Sequence, residues 1–296
     1  MTMRLALRHS DWSVLEGEVR FAPVKAAWFG GMLLALLILG PATVSIGTFT
    51  LFALSTGLVL LLGHSLGSHR KLVHESFDCP RWLEYLLVYC GVQVGIAGPI
   101  GLLRQHDLRD FAQRQRSCHA YLRHGVSPWQ DAWWQLCCEL RLRRPPQLSI
   151  APRVAESRFY RALERTWMLQ HLPWAAVLYA WGGLGYVVWG VCARVVAGNF
   201  GHWLIGHLAH NHGDVILNVE GAAVQGRNVR FTSLLTMGEC WHNNHHAFPD
   251  SAQLGLRPGE WDPGWWVLLA LRRCGLVSNL RVPAVPPVPA GSRVLA

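Results

Sequence analysis

The histidines of this chain fall into groups rather than being spread along it. Two stand in the run His69-Arg-Lys-Leu-Val-His74, with His64 a little before it. Three stand in His242-Asn-Asn-His245-His246, and His202, His207, His210 and His212 form a further cluster. His106 heads the run His106-Asp-Leu-Arg109-Asp110, with His119 and His124 following. On a helix, positions i, i+3 and i+4 share a face, so His242, His245 and His246 aim three imidazoles at one point and turn Asn243 and Asn244 away. His69 and His74, five apart, lie about 140° apart round an ideal α-helix and flank a centre rather than chelate from one face. Neutral imidazole suits iron, zinc, copper and nickel. More imidazoles than four-coordinate zinc uses suggest two metals, and iron where oxygen chemistry is involved. Isolated histidines such as His9 and His171, and with them His124 and His212, read as surface or capping residues.

Elements of a particular kind must hold these groups. From Ala26 to His69 no Asp, Glu, Lys or Arg occurs over 44 residues. About 20 apolar residues cross a bilayer core of roughly 30 Å, so this stretch holds two spans, near Val24–Leu39 and Val44–Gly63, broken at Gly40-Pro41. Thr166 to Ala193 is a second uncharged run, and after Arg194 no charge appears before Asp214. It predicts a second hairpin turning near Gly182, Gly183 and Gly185. Tyr85–Leu103 is also uncharged, but Gly91, Gly95, Gly98 and Pro99 weaken it as a spanning helix, and it is read as interfacial. Arg4, Arg8, Arg20 and Lys25 precede the first span while both turns are uncharged, which places the N-terminus and the long middle region in the cytoplasm. The expected class is an all-α integral membrane protein with four transmembrane helices in two hairpins and a cytosolic helical cap. Its segments are 1–25, 26–63, 64–165, 166–210 and 211–296.

Composition supports this class. Hydrophobic residues make up 51% of the chain and charged ones 15%, which excludes a disordered chain. The 15 tryptophans suit the membrane–water boundary. The net charge of +9 is carried by arginine, since Lys25 and Lys71 are the only lysines. No basic run interleaved with aromatics points to nucleic acid. Eight cysteines without C-x-x-C spacing form neither a disulfide framework nor a zinc site and read as reduced, packed thiols.

The run HRKLVH, the histidine-plus-carboxylate stretch from His106 and the run GECWHNNHHAFPDSAQLGL together resemble the membrane fatty acyl desaturases of the stearoyl-CoA desaturase type, over roughly Ala26 to Leu276. The resemblance implies two irons on the cytosolic side, held by histidines of three boxes and one at the end of the fourth span. Carried over by position, the ligands are His69 and His74, His106, His210, and His242, His245 and His246. The middle box departs from the family's HxxHH, with Arg109 and Asp110 where histidines are expected. Arginine cannot ligate, while Asp110, at i+4 from His106, is either an oxygen ligand or a salt-bridge partner. Gly206 stands where the family has an Asn. His202, His207 and His119 are candidate replacement ligands, and Glu239 and Asp250 are candidate orienters of the rings.

The implied reaction removes two hydrogens from an acyl chain, held by coenzyme A or a lipid, using O2 and two electrons. No GxGxxG binds a nicotinamide or flavin, so electrons would come from a carrier such as a ferredoxin, rubredoxin or cytochrome. Arg114, Arg116, Arg141, Arg143 and Arg144 form a basic surface suited to an acidic carrier, a coenzyme A phosphate or lipid headgroups. The rival readings are a related di-iron lipid hydroxylase or decarboxylase and a non-catalytic lipid-binding relic.

Overall fold

A computed structural model describes residues 3–5, 12–284 and 294–295; Arg8 and His9, and the Arg4 side chain, lie outside what is described. Helix α1 (Pro23–Thr43) opens on a proline in its first turn, where the missing N–H is no loss. It runs through Gly40 and Pro41 rather than breaking there, because Pro41 falls in its last turn. The break comes at Val44 and Ser45. Ser45 Oγ accepts from the Thr48 N–H at 3.1 Å while Thr48 Oγ1 accepts from the Ser45 N–H at 2.8 Å, a reciprocal cap that starts α2 (Ile46–Leu58).

The second apolar helix does not stop near Gly63 as expected. From Val59 to Val73 it continues as a wide helix with i→i+5 hydrogen bonding, a form associated with functional sites. The apolar helix over Ile46–Val73 is 28 residues long. Its first half is largely exposed, and from Ser65 onward it is buried in the protein. Gly63 and Gly67 let helix α3 (Arg81–Val92) come against it. A Cβ on Gly67 would sit 2.2 Å from the Leu87 carbonyl oxygen, and one on Gly63 2.3 Å from Cys90 backbone, so the contact requires small residues at this four-residue spacing. The Tyr85–Leu103 stretch is not one helix: α3 ends at Val92, Gly95 takes φ +82°, and α4 spans Pro99–Gln113. Helix α5 covers Pro128–Cys137 and α6 covers Arg158–Thr166.

The third long apolar stretch, His171–Asn211, has 41 residues, about 60 Å if straight, twice a bilayer core. It is not straight. Gly183 adopts φ 73°, ψ −162°, open only to glycine. The chain then folds back, so that the Leu178 side chain lies where a Cβ on Gly190 would be, 2.6 Å away. Helix α7 (His171–Val187) is thus kinked at Gly182-Gly183 and leads through Val188–Ala193 into α8 (Arg194–Asn211). Leu34, Leu37, Ile38, Phe49, Leu54, Val177, Trp181 and Leu184 are all exposed, an apolar belt that water would not tolerate at this density.

The short helix α9 (His242–Ala247) and helix α10 (Pro263–Arg273) complete the described helices that matter here. Asp262 caps α10 and pairs with the buried Arg70, Nη2 to Oδ1 2.7 Å. Leu66, Phe77, Leu87, Ala252 and Leu268 pack around that junction, so the C-terminal region is fastened to the box helix. The all-α expectation needs one correction. Gly17–Phe21 pairs antiparallel with Cys138–Leu142, Met3–Leu5 with Leu148–Ile150, and Leu217–Asn218 lies parallel to Val294–Leu295. All eight cysteines are free; Cys118, Cys138 and Cys240 are buried and Cys274 is exposed.

Candidate metal centre

Two groups of imidazoles stand side by side. The first is formed by His69, His74, His106 and His245, one ring nitrogen of each lying within 4.8 Å of all the others. His69 and His74 do not flank this centre as an α-helix would make them. The His74 N–H donates to the His69 carbonyl at 3.1 Å, so in the wide helix residues five apart stack one turn above the other, with ring centroids 4.8 Å apart. His74 Nε2, His106 Nδ1 and both nitrogens of His245 are buried without a hydrogen-bond partner. Each such atom costs about 1–3 kcal/mol if left unpaired. A cation accepting one lone pair from each ring removes that cost at the nitrogens that face it, and four neutral imidazoles, each with one such lone pair, are a donor set that iron accepts.

The second group is His210, His242 and His246. The Nε2 atoms of His210 and His242 are 3.1 Å apart, and those of His242 and His246 3.0 Å. Helix α9 therefore does not aim its three histidines at one point. His242 and His246, at i and i+4, share the second centre, while His245 is rotated to the side and enters the first, so this one turn bridges both. Asn243 and Asn244 do face away. Asn243 uses all its polar capacity on backbone, donating to the Leu217 and Gly226 carbonyls and accepting from the Ile216 and Leu217 N–H groups. Asn244 donates to the Leu254 carbonyl and to Glu260, each at 2.8 Å.

Glu239, a candidate orienter, lies against the first group. Its Oε2 is 2.5 Å from His69 Nδ1, and its Oε1 accepts from Ser65 Oγ at 2.6 Å. Burial alone would raise this carboxyl, but His69 and Arg70 outweigh it and hold it down at about 2. An ionised carboxylate at that position favours the His69 tautomer with its proton on Nδ1, which would leave Nε2 for a metal. Asp250, by contrast, is exposed and orients nothing among the described contacts.

The altered middle box has found other work. Asp110 Oδ2 lies 3.9 Å from His106 Nδ1, outside both groups. Burial raises its carboxyl, but His106, His246 and Arg114 prevail and keep it below the ordinary range. Arg109 contacts His124 Nε2 and donates to Gln135 Oε1 at 2.8 Å. His124 Nδ1 (2.7 Å), His207 Nδ1 (2.9 Å) and Trp203 Nε1 (2.9 Å) all donate to one oxygen of the buried Asp131.

His124 is therefore not a surface residue. It is 1% exposed, stacks on His210 with centroids 5.2 Å apart, and fills the space beside Gly206, its Nε2 3.2 Å from where a Cβ there would lie. No sequence spacing announces this network, since its members come from α4, α5, α8 and a loop. Burial and the charge of Arg109 push the His124 imidazole down to about 4, while the three hydrogen bonds overcome burial and hold Asp131 at about 2.

The candidate replacement ligands fall elsewhere. His207 belongs to the Asp131 network, His202 stands edge-on to His64 at 5.1 Å, and His119 Nδ1 accepts from the Tyr121 N–H at 3.1 Å. His171 is buried, with Nδ1 3.4 Å from Arg194, and is a core residue rather than a cap. His212 is exposed. Three of the five arginines of the expected basic surface are paired with carboxylates. Arg114 donates to the His246 carbonyl, and Arg141, Arg143 and Arg144 pair with Glu139, Glu18 and Glu16.

A residue that motif spacing overlooked, Gln113, closes α4 with its Oε1 3.1 Å from His210 Nε2. The signal was present: His106, Asp110 and Gln113, at i, i+4 and i+7, lie on one helix face.

A family profile described as fatty acid desaturase matches residues 49–258. Among curated proteins, the chain is 33% identical over 230 residues to the palmitoyl-monogalactosyldiacylglycerol delta-7 desaturase of Arabidopsis thaliana, covering 76% of this chain and 59% of that one. It is 30% identical over 260 residues to an acyl-CoA 5-desaturase of Anemone leveillei, covering 86% and 78% respectively. With the sn-2 palmitoyl-lipid 9-desaturase of Nostoc sp. it shares 32% identity over 262 residues, covering 85% and 88%. With seven imidazoles gathered as the box pattern requires, five of them buried and His106 and His242 half-buried, and a profile match over most of its length, the chain belongs to the fatty acid desaturase family.

Proposed function

We propose that this protein is a membrane-bound fatty acyl desaturase that holds two irons and introduces a double bond into an acyl chain borne by coenzyme A or by a lipid. The observation that carries the reading is the pair of adjacent imidazole groups, four rings and three, the group of four with ring nitrogens buried and unpartnered. A relic without metal would have no reason to keep such atoms out of water. Bound there, the irons would supply O2 activation; with two electrons from an external ferredoxin, rubredoxin or cytochrome and two protons from solvent, the acyl chain would lose two hydrogens to become C=C and O2 would become two waters.

The chain's own groups set the conditions. Glu239 and the Gly206 carbonyl, 2.6 Å from His210 Nδ1, hold the protons of His69 and His210 on the side away from the centres. Asn243 and Asn244 lock the turn that serves both. On this reading the kink at Gly182-Gly183 makes four membrane crossings of the three long apolar stretches, and the histidine groups face the cytoplasm with the N-terminus.

The test is turnover of purified, iron-loaded protein in lipid nanodiscs with a reduced ferredoxin, O2 and either stearoyl-CoA or stearoyl-lipid. O2-dependent loss of two mass units from one substrate supports the reading. Gain of about 16, the mass of one oxygen atom, would reassign the protein as a hydroxylase. No turnover on either substrate by folded protein containing two irons would overturn it.

A further inference from the structure

We infer that the side-chain oxygen of Gln113 is the fourth protein donor of the second metal centre, an assignment that rests on the two-metal reading above. The inference follows from which atoms can donate. Gln113 is 1% exposed, and its Nε2 donates to the Leu122 carbonyl at 2.8 Å. A carbonyl only accepts, so the amide is fixed with its oxygen toward His210. His210 is equally constrained. Its Nδ1 faces the Gly206 carbonyl at 2.6 Å and must carry the ring proton, which leaves a lone pair on Nε2.

Gln113 Oε1 and His210 Nε2 thus confront each other as two acceptors 3.1 Å apart, and the Nε2 of His242 stands 3.1 Å from the same nitrogen. Lone pairs at that distance repel unless a cation lies among them. The separations suit one: donors about 2.1 Å from a metal and adjacent in its coordination shell stand about 3.0–3.4 Å apart. The neighbouring donors of this centre lie at 3.0, 3.1 and 3.1 Å.

The chemistry of the middle helix agrees. Where two histidines of the box are replaced by Arg109 and Asp110, Arg109 is committed to His124 and Gln135 and Asp110 stays outside both groups. The second centre is then left with three imidazoles against four in the first. Gln113, two turns beyond His106 on the same face, brings a neutral oxygen to the deficient centre and adds no charge beside Arg109.

The experiment compares wild type with Gln113→Leu and Gln113→Glu, each metal-free protein first shown to be folded by its thermal melt. All are titrated anaerobically with Fe2+ against a competing chelator and examined by Mössbauer spectroscopy, which resolves the two irons. Wild type is expected to take about two irons. Gln113→Leu should lose the second, its affinity falling by more than the about 10- to 100-fold that losing an outer partner costs. Gln113→Glu should retain it.

The glutamate is the deciding variant. It keeps the oxygen but cannot donate to the Leu122 carbonyl, so a merely structural Gln113 predicts that Glu fails as Leu does. That result, or a Leu variant that binds both irons as wild type does, overturns the assignment alone. Wild type that binds fewer than two irons overturns the two-metal reading and this assignment with it.

Discussion

Replacing Glu239 by Gln removes a charge from beside the first centre while keeping its shape. The amide oxygen can still accept from His69 Nδ1, and the amide N–H can meet Ser65 Oγ, which now donates to the carboxylate at 2.6 Å. Arg70 loses its weaker carboxylate partner, 3.5 Å away, and keeps Asp262 at 2.7 Å. The hydrogen-bond count is unchanged, so the metal-free protein should melt within a few degrees of wild type. What disappears is the charge assistance in the His69–Glu239 bond. Charge-assisted bonds are about twice as strong as neutral ones, and outer partners of ligating histidines contribute about 10- to 100-fold in metal affinity. The first centre should therefore bind Fe2+ about 10- to 100-fold more weakly, which is about 1.4–2.7 kcal/mol. The second centre, whose histidines do not touch Glu239, should change by less than about 3-fold by the same reasoning. Anaerobic iron titration with a competing chelator, resolved by Mössbauer spectroscopy, reads both. A first centre unchanged within about 2-fold, where an outer partner is expected to give at least 10-fold, would refute the reasoning. Equal weakening at both centres would do the same.

Two further outcomes follow from the Asp131 network. Asp131→Ala leaves the N–H groups of His124, His207 and Trp203 without their acceptor and Arg109 without its nearby negative charge. Breaking a buried network of this kind costs about 3–5 kcal/mol, or roughly 10 °C in the thermal midpoint at 2–4 °C per kcal/mol, and a drop below about 2 °C would contradict it. The same site makes the metal-free fold acid-labile. The His124 imidazole titrates at about 4 when folded and near 6.5 when unfolded, so the unfolded chain takes up the proton first. Stability contributed by neutral His124 is complete above about pH 6.5, falls by about 1.4 kcal/mol per pH unit below it, and levels off near 4. Thermal midpoints of wild type and His124→Gln between pH 7.5 and 4.5 check this; equal slopes in the two proteins would remove His124 as a source.

The residue types and the length of the apolar runs were enough to place this chain in a membrane and to single out the histidines that gather into two groups. A span without charge has few alternatives in lipid, and imidazoles concentrated in short runs identify themselves by composition. The partition among centres was not legible. His245 joins His69, His74 and His106 rather than its neighbours in the box because one helical turn points its i+3 and i+4 positions in different directions. His69 and His74 meet because the helix widens to i→i+5 bonding, a backbone state that five-residue spacing alone does not announce. The fate of the altered middle box was also hidden. Arg109 and His124 find each other 15 residues apart, His207 and Asp131 76 apart, and Gln113 and His210 97 apart. Sequence fixes local periodicity, which decides which side chains share a face of one element. Contacts between elements depend on how those faces dock, and only the tertiary structure decides which side chains meet across them.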